Sequence, residues 1–527
     1  YPYNLSIARL NMGDWEGVES AVRSALMINP DYPEGWNMLG LSFKMRGNWI
    51  AAKDAFNKAL NISPEFATAW INQSGTLTEL KQYEDALVAA KNAVQYGYEF
   101  AEAHYNLGCV FQELSKPIDA INAFREAVKI RPQYAEAYIN LSRSKIELGR
   151  HDEAQSLAEK AIEFAPDNYS GHVNLGLAYC NMGNYQDGVV CYEHAIKLAP
   201  NAAEAHANLG FALLALEKFE RAWDEWEAAF EIGSRIPKVL SPTKKWEGQS
   251  LAGKTIHIYG EQAIGDHIMY GTMIPDIIAD NTRVIYEVEP RLVPLLKRSL
   301  PNITITELNL PPDLSKRLPD EDYQISVGSL GKYVRRSIDN FVPKGQFLKP
   351  DPVLLKKYRN KYRKLNDGPL IGIAWKSNSE NFGDRKNISL EEWAPILKVG
   401  GCSFVSLQYG NVSKDIDWVK NNFDIEIYVD EEVDALVSLE QCAAQCAAMD
   451  LVITISNATI HFSAGCGVET WMLLGNPTMW HWFTEREDSL WYKSLKAFRI
   501  KNNDDLPLVI HDTASKLREF INCRNNV

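Results

Sequence analysis

The first 234 residues repeat with a period of 34, and this periodicity constrains the fold more than any other feature of the chain. Four positions of the period carry the same kind of residue each time: an alanine, a proline, a small residue, and an aromatic residue or histidine. They are Ala25, Ala59, Ala93, Ala127, Ala161, Ala195 and Ala229; Pro30, Pro64, Pro132, Pro166 and Pro200, with Tyr98 in the remaining proline position; Gly40, Ser74, Gly108, Ser142, Gly176 and Gly210; and Trp36, Trp70, His104, Tyr138, His172 and His206. A fixed period of this length indicates stacked units that bury their apolar faces against one another.

A 34-residue period with small residues at fixed positions is the signature of the tetratricopeptide repeat (TPR), a pair of antiparallel helices. Small residues let the two helices approach closely, and proline ends the second helix. We therefore predict a TPR superhelix over residues 1–234, with about seven repeats of which the first is partial. Because the chain opens inside a repeat and without a starting Met, we expect the native protein to extend upstream.

An asparagine recurs in the first helix of most repeats, at Asn72, Asn106, Asn140, Asn174 and Asn208. Its side-chain amide offers one acceptor and two donors, so a row of them on the concave face can hold an extended peptide by its backbone. Asparagine before Leu-Gly is also common in TPRs, where it need only serve the fold. The pattern predicts a protein partner along the concave face and leaves the purely structural use open.

The pattern changes after Gly233, where short apolar runs begin to alternate with helical patterns, as in βαβ units. We predict a linker over 235–250 and two small Rossmann-like lobes, 251–348 and 349–527, which open with strands at Thr255–Tyr259 and Leu370–Trp375. A polar, Lys-rich link is expected around 349–367. The predicted fold class is α plus α/β: a TPR solenoid followed by the two-lobed architecture called GT-B.

Ligands of open α/β sheets bind beyond the carboxyl ends of the strands, and two turns there have suitable chemistry. In the first lobe, Gly260 and Gly265 let the backbone approach a ligand, and Asp266 stands at a helix start, where it could equally be a capping residue. In the second lobe, Ser456–His461 leads into a helix whose free N–H groups suit a pyrophosphate. Lys376 could neutralise a diphosphate, whereas Arg385 and Lys386 are expected in a solvated loop.

Four segments in order resemble those of bacterial TPR-containing glycosyltransferases: Gly260–Asp266, Gly372–Lys376, Ser456–Gly465 and Trp482–Tyr492. The second part is similar to heptosyltransferases and more distantly to O-GlcNAc transferase, whose asparagine ladder the Asn row resembles. Flagellin O-glycosyltransferases share this layout. The resemblance implies an inverting, metal-independent enzyme that transfers a hexosyl or nonulosonic-acid group from a nucleotide sugar to Ser or Thr of a flagellin-like protein.

The resemblance also implies residue roles. Asp266 would be the catalytic base, with His267, Glu261 and His461 as other possible bases. The donor nucleotide would lie near Tyr409 or 430–434. The donor-binding residues it implies are Gly265, Trp375, Lys376, Ser456, Asn457, Thr459 and His461. Many relatives carry Asp where this chain has Ser456-Asn457, which leaves a non-catalytic scaffold open as an alternative function.

Composition excludes several other classes. The net charge of −13 argues against a nucleic-acid partner and mildly against a transferase acting on a lipid-linked glycan. The eight cysteines form no CxxC pair, and Asp415-Ile-Asp417 is interpreted as a helix start, so no metal is expected. We expect no cofactor besides the nucleotide-sugar substrate, no secretory leader, no membrane span, and a cytoplasmic location.

Overall fold

The structure is a computed structural model that describes residues 2–235, 243–261, 263–308, 321–377, 386–475, 479–501 and 503–525. It divides into two compact units. The first consists of Tyr1–Asn181 and Val190–Asn201, and the second of Met182–Val189 and Ala202–Val527.

Within the described residues, fourteen α-helices precede the first strand. Their lengths alternate regularly, as expected from a repeated helical pair. They are α1 Pro2–Asn11, α2 Trp15–Ile28, α3 Pro33–Met45, α4 Trp49–Ile62, α5 Ala67–Glu79, α6 Tyr83–Tyr96, α7 Ala101–Glu113, α8 Pro117–Ile130, α9 Ala135–Glu147, α10 His151–Phe164, α11 Tyr169–Asn181, α12 Tyr185–Leu198, α13 Ala203–Ala215 and α14 Phe219–Trp226. The predicted array of helical pairs is confirmed.

The recurring aromatic or histidine side chain ties the first helix of a repeat to the loop before it. The indole N–H of Trp36 donates to the carbonyl of Pro30 at 2.8 Å, and His104 makes the same contact with the carbonyl of Tyr98 at 2.9 Å. The acceptor is a backbone carbonyl in both cases. Tyr98 can therefore replace the proline without loss of this hydrogen bond.

The recurring small residue makes room for the second helix of the same repeat. A Cβ atom on Gly40 would lie 2.5 Å from the ring of Phe56, and one on Gly108 would lie 2.5 Å from the ring of Phe124. Where the first helix carries Ser74 instead, the position sixteen residues later is an alanine, and the same holds for Ser142. The two positions therefore compensate each other in volume, as close packing requires.

The second unit contains two parallel β-sheets. Among the described residues, one sheet has four strands in the order β3-β2-β1-β4 and the other has six in the order β10-β9-β8-β5-β6-β7. The strands are β1 Thr255–Tyr259, β2 Arg283–Val288, β3 Thr304–Glu307, β4 Tyr323–Ser326, β5 Leu370–Ala374, β6 Ser403–Ser406, β7 Ile427–Tyr428, β8 Leu451–Ile455, β9 Thr470–Leu474 and β10 Leu495–Arg499. Parallel α/β structure after the repeats is confirmed.

Helices connect these strands and cover the sheets. They are α15 Ile264–Gly271, α16 Val293–Ser299, α17 Gly331–Val334, α18 Pro352–Tyr362, α19 Ala394–Leu397, α20 Ser413–Phe423, α21 Leu439–Ala447, α22 Ala458–Gly465 and α23 Leu506–Asn525. Most of the polar link predicted around 349–367 is the helix α18. Asp351 caps this helix by accepting the N–H groups of Val353 and Leu354, and Tyr358 and Tyr362 are fully buried on its inner face.

The last helical pair, α13 and α14, packs onto the α/β region through aromatic side chains. The ring of Trp223 lies 5.4 Å from that of Trp480, which also contacts Trp226 at 5.6 Å. The indole N–H of Trp223 donates to the carbonyl of Arg335 at 2.8 Å. Burial of large aromatic side chains fixes this end of the repeat array on the sheets.

Candidate active site

A cavity of about 520 Å³ lies where α15, which follows β1, faces α22, which follows β8. Its size is within the roughly 300–1,000 Å³ range of small-molecule sites. Both helices present their first turns to it. Among the predicted site residues, the lining includes Gly265, Asp266, Ser456, Asn457, Thr459 and His461. The carboxyl ends of strands from the two sheets therefore meet at one cavity, as the βα topology predicts.

Asp266 lies in the first turn of α15 and lines the cavity. One of its carboxylate oxygens accepts the N–H of Ala263 at 3.1 Å, so it also caps its helix. Burial raises the pKa of Asp266 to about 7, although that N–H and the nearby charge of Lys386 lower it. A carboxyl poised near neutral pH is suited to accept and release a proton.

Lys386 also lines the cavity, so its prediction as a solvated side chain is wrong. Burial lowers the pKa of its ammonium, and the charge of Asp266 raises it. Lys386 therefore gives the cavity a partly desolvated positive charge near the carboxyl. Arg385 lies outside the described residues.

Lys376 and Trp375 do not reach the cavity, in contrast to their predicted donor contacts. The Lys376 ammonium makes an ion pair with Asp415 at 2.7 Å, and the indole N–H of Trp375 donates to the same carboxylate at 3.2 Å. Trp375 is fully buried in the core of the second sheet. Asp415 lies in the first turn of α20, as the sequence predicted, and draws both side chains to that helix.

Asn457 caps α22. Its side-chain oxygen accepts the N–H of Thr459 and the hydroxyl of Thr454, both at 3.1 Å, and its amide group donates to the carbonyl of Lys376 at 3.3 Å. A carboxylate could not make that last bond, because it has no donor. Asparagine at this position thus has a structural reason. The neighbouring Ser456 hydroxyl accepts the indole N–H of Trp482 at 3.0 Å.

His461 projects from α22 to the cavity and is buried. Its Nδ1 lies 3.0 Å from the Tyr492 hydroxyl, and its ring stacks on that of Trp482 with the centroids 5.6 Å apart. Burial, together with a smaller effect of the Lys386 charge, lowers the pKa of His461 to about 3. The imidazole is therefore neutral at pH 7 and serves as a hydrogen-bonding group rather than a cation.

His267 and Glu261, the other possible bases on the first lobe, lie away from the cavity wall. His267 packs against Gly260, where a Cβ atom would meet its Nδ1 at 2.2 Å, and burial lowers its pKa to about 4. Glu261 is fully buried and makes a bidentate ion pair with Arg235. The geometry favours Asp266 over both.

Sequence reasoning missed several residues of the cavity wall, among them His481 and Arg291. His481 is buried there, and burial lowers its pKa well below the usual histidine range. Arg291 follows β2 and donates to the carbonyl of Leu436 at 2.5 Å, so it bridges the two lobes at the cavity. Arg291 and Leu436 are 145 residues apart, and no sequence pattern marks the contact.

A second cavity, of about 370 Å³, adjoins the first and shares Leu407, Tyr409, Ala435 and Leu436 with it. Asp430 and Asp434 line it. The donor nucleotide was expected near this segment from the sequence, and that placement stays a prediction. The Asp430 carboxylate is held by the Lys361 ammonium at 2.8 Å and the Tyr362 hydroxyl at 2.7 Å. The loop after β7 is thereby fixed as the wall of this cavity.

The recurring asparagines link successive repeats. The side-chain amide of Asn106 donates to the carbonyl of Ile71 at 2.9 Å, and that of Asn174 donates to the carbonyl of Ile139 at 2.8 Å. Asn72 and Asn140 likewise donate to the side chains of residues in the preceding repeat. These amides therefore serve the fold, and peptide binding by the row, including Asn208, stays a prediction.

Two further findings concern the described residues alone. They contain no cluster of three or more His, Cys, Asp or Glu side chains arranged to hold a metal ion. None of their helices combines the length and the apolar character needed to cross a bilayer.

Comparisons with known proteins cover mainly the repeats. A tetratricopeptide-repeat family pattern matches residues 113–175, and a TPR-repeat pattern matches residues 176–217. Protein FlbA of Caulobacter vibrioides is 32% identical over 322 residues, which are 58% of this chain and 54% of FlbA. The chain thus spans about half the length of this curated relative.

Solved structures that are similar to part of the chain include YrrB and MamA. YrrB, described as a TPR protein with an unusual peptide-binding site, is 22% identical, with 35% of this chain and 95% of YrrB covered and a TM-score of 0.31. MamA is 25% identical, with 33% of this chain and 94% of MamA covered and a TM-score of 0.29.

Proposed function

We propose that this chain is a protein O-glycosyltransferase, which transfers a sugar from a nucleotide-sugar donor to Ser or Thr hydroxyls of a protein acceptor. In this proposal the two sheets form a GT-B catalytic domain and the repeats recruit the acceptor. The observation that carries it is the shared cavity, in which Asp266 of the first lobe faces Lys386, Thr459 and His461 of the second.

The two cavities divide the donor between them. The smaller one is lined by Glu431 and Asp434, whose exposed carboxylates can accept hydrogen bonds from nucleoside hydroxyl and amino groups and would repel phosphate. The larger one carries Lys386 and the start of α22, where a positive side chain and a helix N-terminus both favour phosphate oxygens. The nucleoside would therefore occupy the smaller cavity, with the phosphates and sugar in the larger.

The reaction follows from this arrangement. The acceptor hydroxyl attacks the anomeric carbon from the face opposite the leaving phosphate, and its proton passes to the Asp266 carboxylate. The bond from the anomeric carbon to the phosphate oxygen breaks, and the nucleotide leaves with the electron pair. Lys386 and the α22 N-terminus stabilise the charge that develops on it, which is commonly the larger contribution to catalysis. In-line attack inverts the anomeric configuration.

The buried histidines fit the same chemistry as neutral groups. His461 and His481 carry no positive charge at pH 7, since burial lowers the pKa of both. They can donate or accept hydrogen bonds with sugar hydroxyls without competing with Lys386 for the phosphate. A sugar pocket lined by neutral polar groups and apolar side chains is the usual composition of such a site.

The test is intact-mass analysis of a secreted, flagellin-like acceptor co-expressed with the full chain. Wild type should add a sugar-sized mass to the acceptor, and D266N should not, because the amide cannot take the proton. D417N is the matched control: Asp417 is an exposed carboxylate on α20, away from the cavity lining, and its loss should leave the mass step unchanged.

Three outcomes would contradict the proposal. A mass step that persists in D266N removes this residue from the mechanism. Nucleotide-sugar binding without turnover indicates a non-catalytic scaffold. Transfer to a lipid-linked glycan, with the protein acceptor unmodified, assigns the chain to a different acceptor class.

A further inference from the structure

A buried ion pair joins the end of the last helical pair to the loop that follows β1. Arg235 comes after the short 3-10 turn Glu227–Phe230, and its Nε and Nη2 groups donate to the two carboxylate oxygens of Glu261 at 2.8 and 2.7 Å. The arginine is 1% exposed and the glutamate 0%. Neither charge is therefore compensated by water.

Further contacts satisfy both partners. Arg235 also donates to Glu227 at 3.0 Å and to the Ser329 hydroxyl at 3.1 Å, and its guanidinium lies 4.0 Å from the ring centroid of Trp226. Glu261 accepts the N–H of Gly328 at 2.7 Å. Burying two charges is costly unless geometry and hydrogen bonds are nearly complete. This set of partners gives the pair one defined position.

Glu261 lies between β1 and α15, in the connection that leads to the helical turn carrying Asp266. We propose that Arg235 and Glu261 are positioning residues: the pair anchors this connection to the end of the repeat array, and its two charges act in opposite directions on the Asp266 carboxyl. This inference rests on the proposed role of Asp266 as the base. Arg235 and Glu261 themselves do not line the cavity.

The effect of the Glu261 and Arg235 charges on Asp266 can be separated from the effects of the other groups around it. The charge of Glu261 raises the pKa of Asp266, whereas those of Lys386 and Arg235 lower it. Five further titratable groups near it are neutral at pH 7, because burial raises the pKa of the tyrosines well above their usual range and lowers that of the histidines, whereas Arg291 of the cavity wall adds a positive charge. The five neutral groups are Tyr270 of α15, Tyr286 of β2, Tyr492 before β10, His461 of α22 and His481.

The experiment measures the proton affinity of Asp266 without relying on activity. The free energy of unfolding of the full chain is determined by denaturant titration from pH 4 to 9 in wild type, E261Q, R235M and the double variant, each with and without D266N. Folding raises the pKa of Asp266 from 3.8 to about 7, so the native state binds more protons and this contribution to stability is lost as the pH rises through that window. Subtracting the pH–stability curve of each D266N variant from that of its Asp266 counterpart isolates the midpoint at which Asp266 titrates.

The proposal predicts opposite shifts. E261Q should lower the midpoint and R235M should raise it, each by about one pH unit, the lower end of what a neighbouring charge does. The double variant should return the midpoint towards the wild-type value. A purely structural role would move the midpoint in one direction for both substitutions or leave it unchanged, and either result overturns the proposal. If R235M does not fold, because Glu261 is left buried without its partner, the proposal is tested by the lowered midpoint in E261Q and its return towards the wild-type value in the double variant.

Turnover of nucleotide sugar in the same variants separates this inference from the proposed function. If the midpoints shift in opposite directions but no variant, wild type included, turns over any nucleotide sugar, the pair is supported and the transferase proposal fails. If wild type is active and the acid limb of its pH profile does not move in E261Q, the pair is refuted and the transferase proposal stands.

Discussion

Gly265 at the start of α15 lies directly against the imidazole of His461 on α22: a Cβ atom on the glycine would be 2.5 Å from Cδ2 and 2.7 Å from Nε2. The two helices belong to different lobes, and their first turns meet at the cavity wall. The absence of a side chain at residue 265 thus sets how closely the two halves of the candidate site approach.

Replacing Gly265 by alanine should push the two first turns apart. We expect G265A to destabilise the chain by about 1–3 kcal/mol, the usual cost of overpacking, and to lower turnover by about a hundredfold, since a displacement near 1 Å is enough for that. Denaturant unfolding and nucleotide-sugar turnover measure the two effects. G271A, at the other end of α15, is the control, because its Cβ would lie an ordinary 3.5 Å from Phe347. Equal behaviour of the two variants would refute the role given to residue 265.

Substitution of Lys386 and substitution of Lys376 should affect donor affinity differently. Because Lys386 lines the cavity and Lys376 is paired with Asp415, K386M should weaken binding of a nucleoside diphosphate by roughly 10- to 100-fold, the value of a charge-assisted contact. K376M should change it little. Isothermal titration of both variants with the nucleotide that binds wild type best is the measurement. A larger loss in K376M would return the phosphate site to the position that the sequence predicted.

The pH dependence of turnover should report the cavity carboxyl. The base must be ionised, and the pKa of Asp266 is raised to about 7, so kcat/KM should rise with pH through an acid limb near 7 rather than near 4. Burial lowers the pKa of Lys386, so its ammonium loses its charge at a lower pH than an ordinary lysine does. Activity should therefore fall again at alkaline pH, with a midpoint below the usual lysine pKa. D266N should lower kcat/KM by about 10²–10⁴-fold and abolish the acid limb. An acid limb that survives in D266N would assign the base elsewhere.

The sequence predicted the repeats almost completely, because their information is local and repeated seven times. In the α/β region it predicted the strand Thr255–Tyr259 to the residue, and it predicted the strand Leu370–Ala374 to within one residue at its end. It missed β3, β4 and β10, which are short strands of four or five residues. Alternation over so few residues is hard to distinguish from a turn.

The sequence predicted residues of the candidate site only where the strand or helix that carries the residue is enough to place it. Asp266, Thr459 and His461 follow strands in the order that the topology requires, and they reach the cavity. Lys376 also follows a strand, but Asp415, 39 residues later, holds its ammonium. Lys386 looks like part of a polar loop and is nevertheless desolvated. Which of two lysines meets a ligand depends on contacts distant in sequence, and those leave no periodic signal.

The volume compensation within repeats can be tested by replacing a glycine–aromatic pair with a serine–alanine pair. G108S should cost about 1–3 kcal/mol, since even a Cβ atom there would lie 2.5 Å from the Phe124 ring. F124A alone should cost about 3–5 kcal/mol by leaving a cavity. The double variant recreates the serine–alanine pair of Ser142 and Ala158, so its cost in denaturant unfolding should be well below the sum of the two. G75A is the control for substitution within a first helix, since its Cβ would meet only the ends of two side chains, Lys44 at 3.3 Å and Asn106 at 3.7 Å. Strict additivity of G108S and F124A would show that the two positions do not compensate each other, because residues that share a contact are expected to couple.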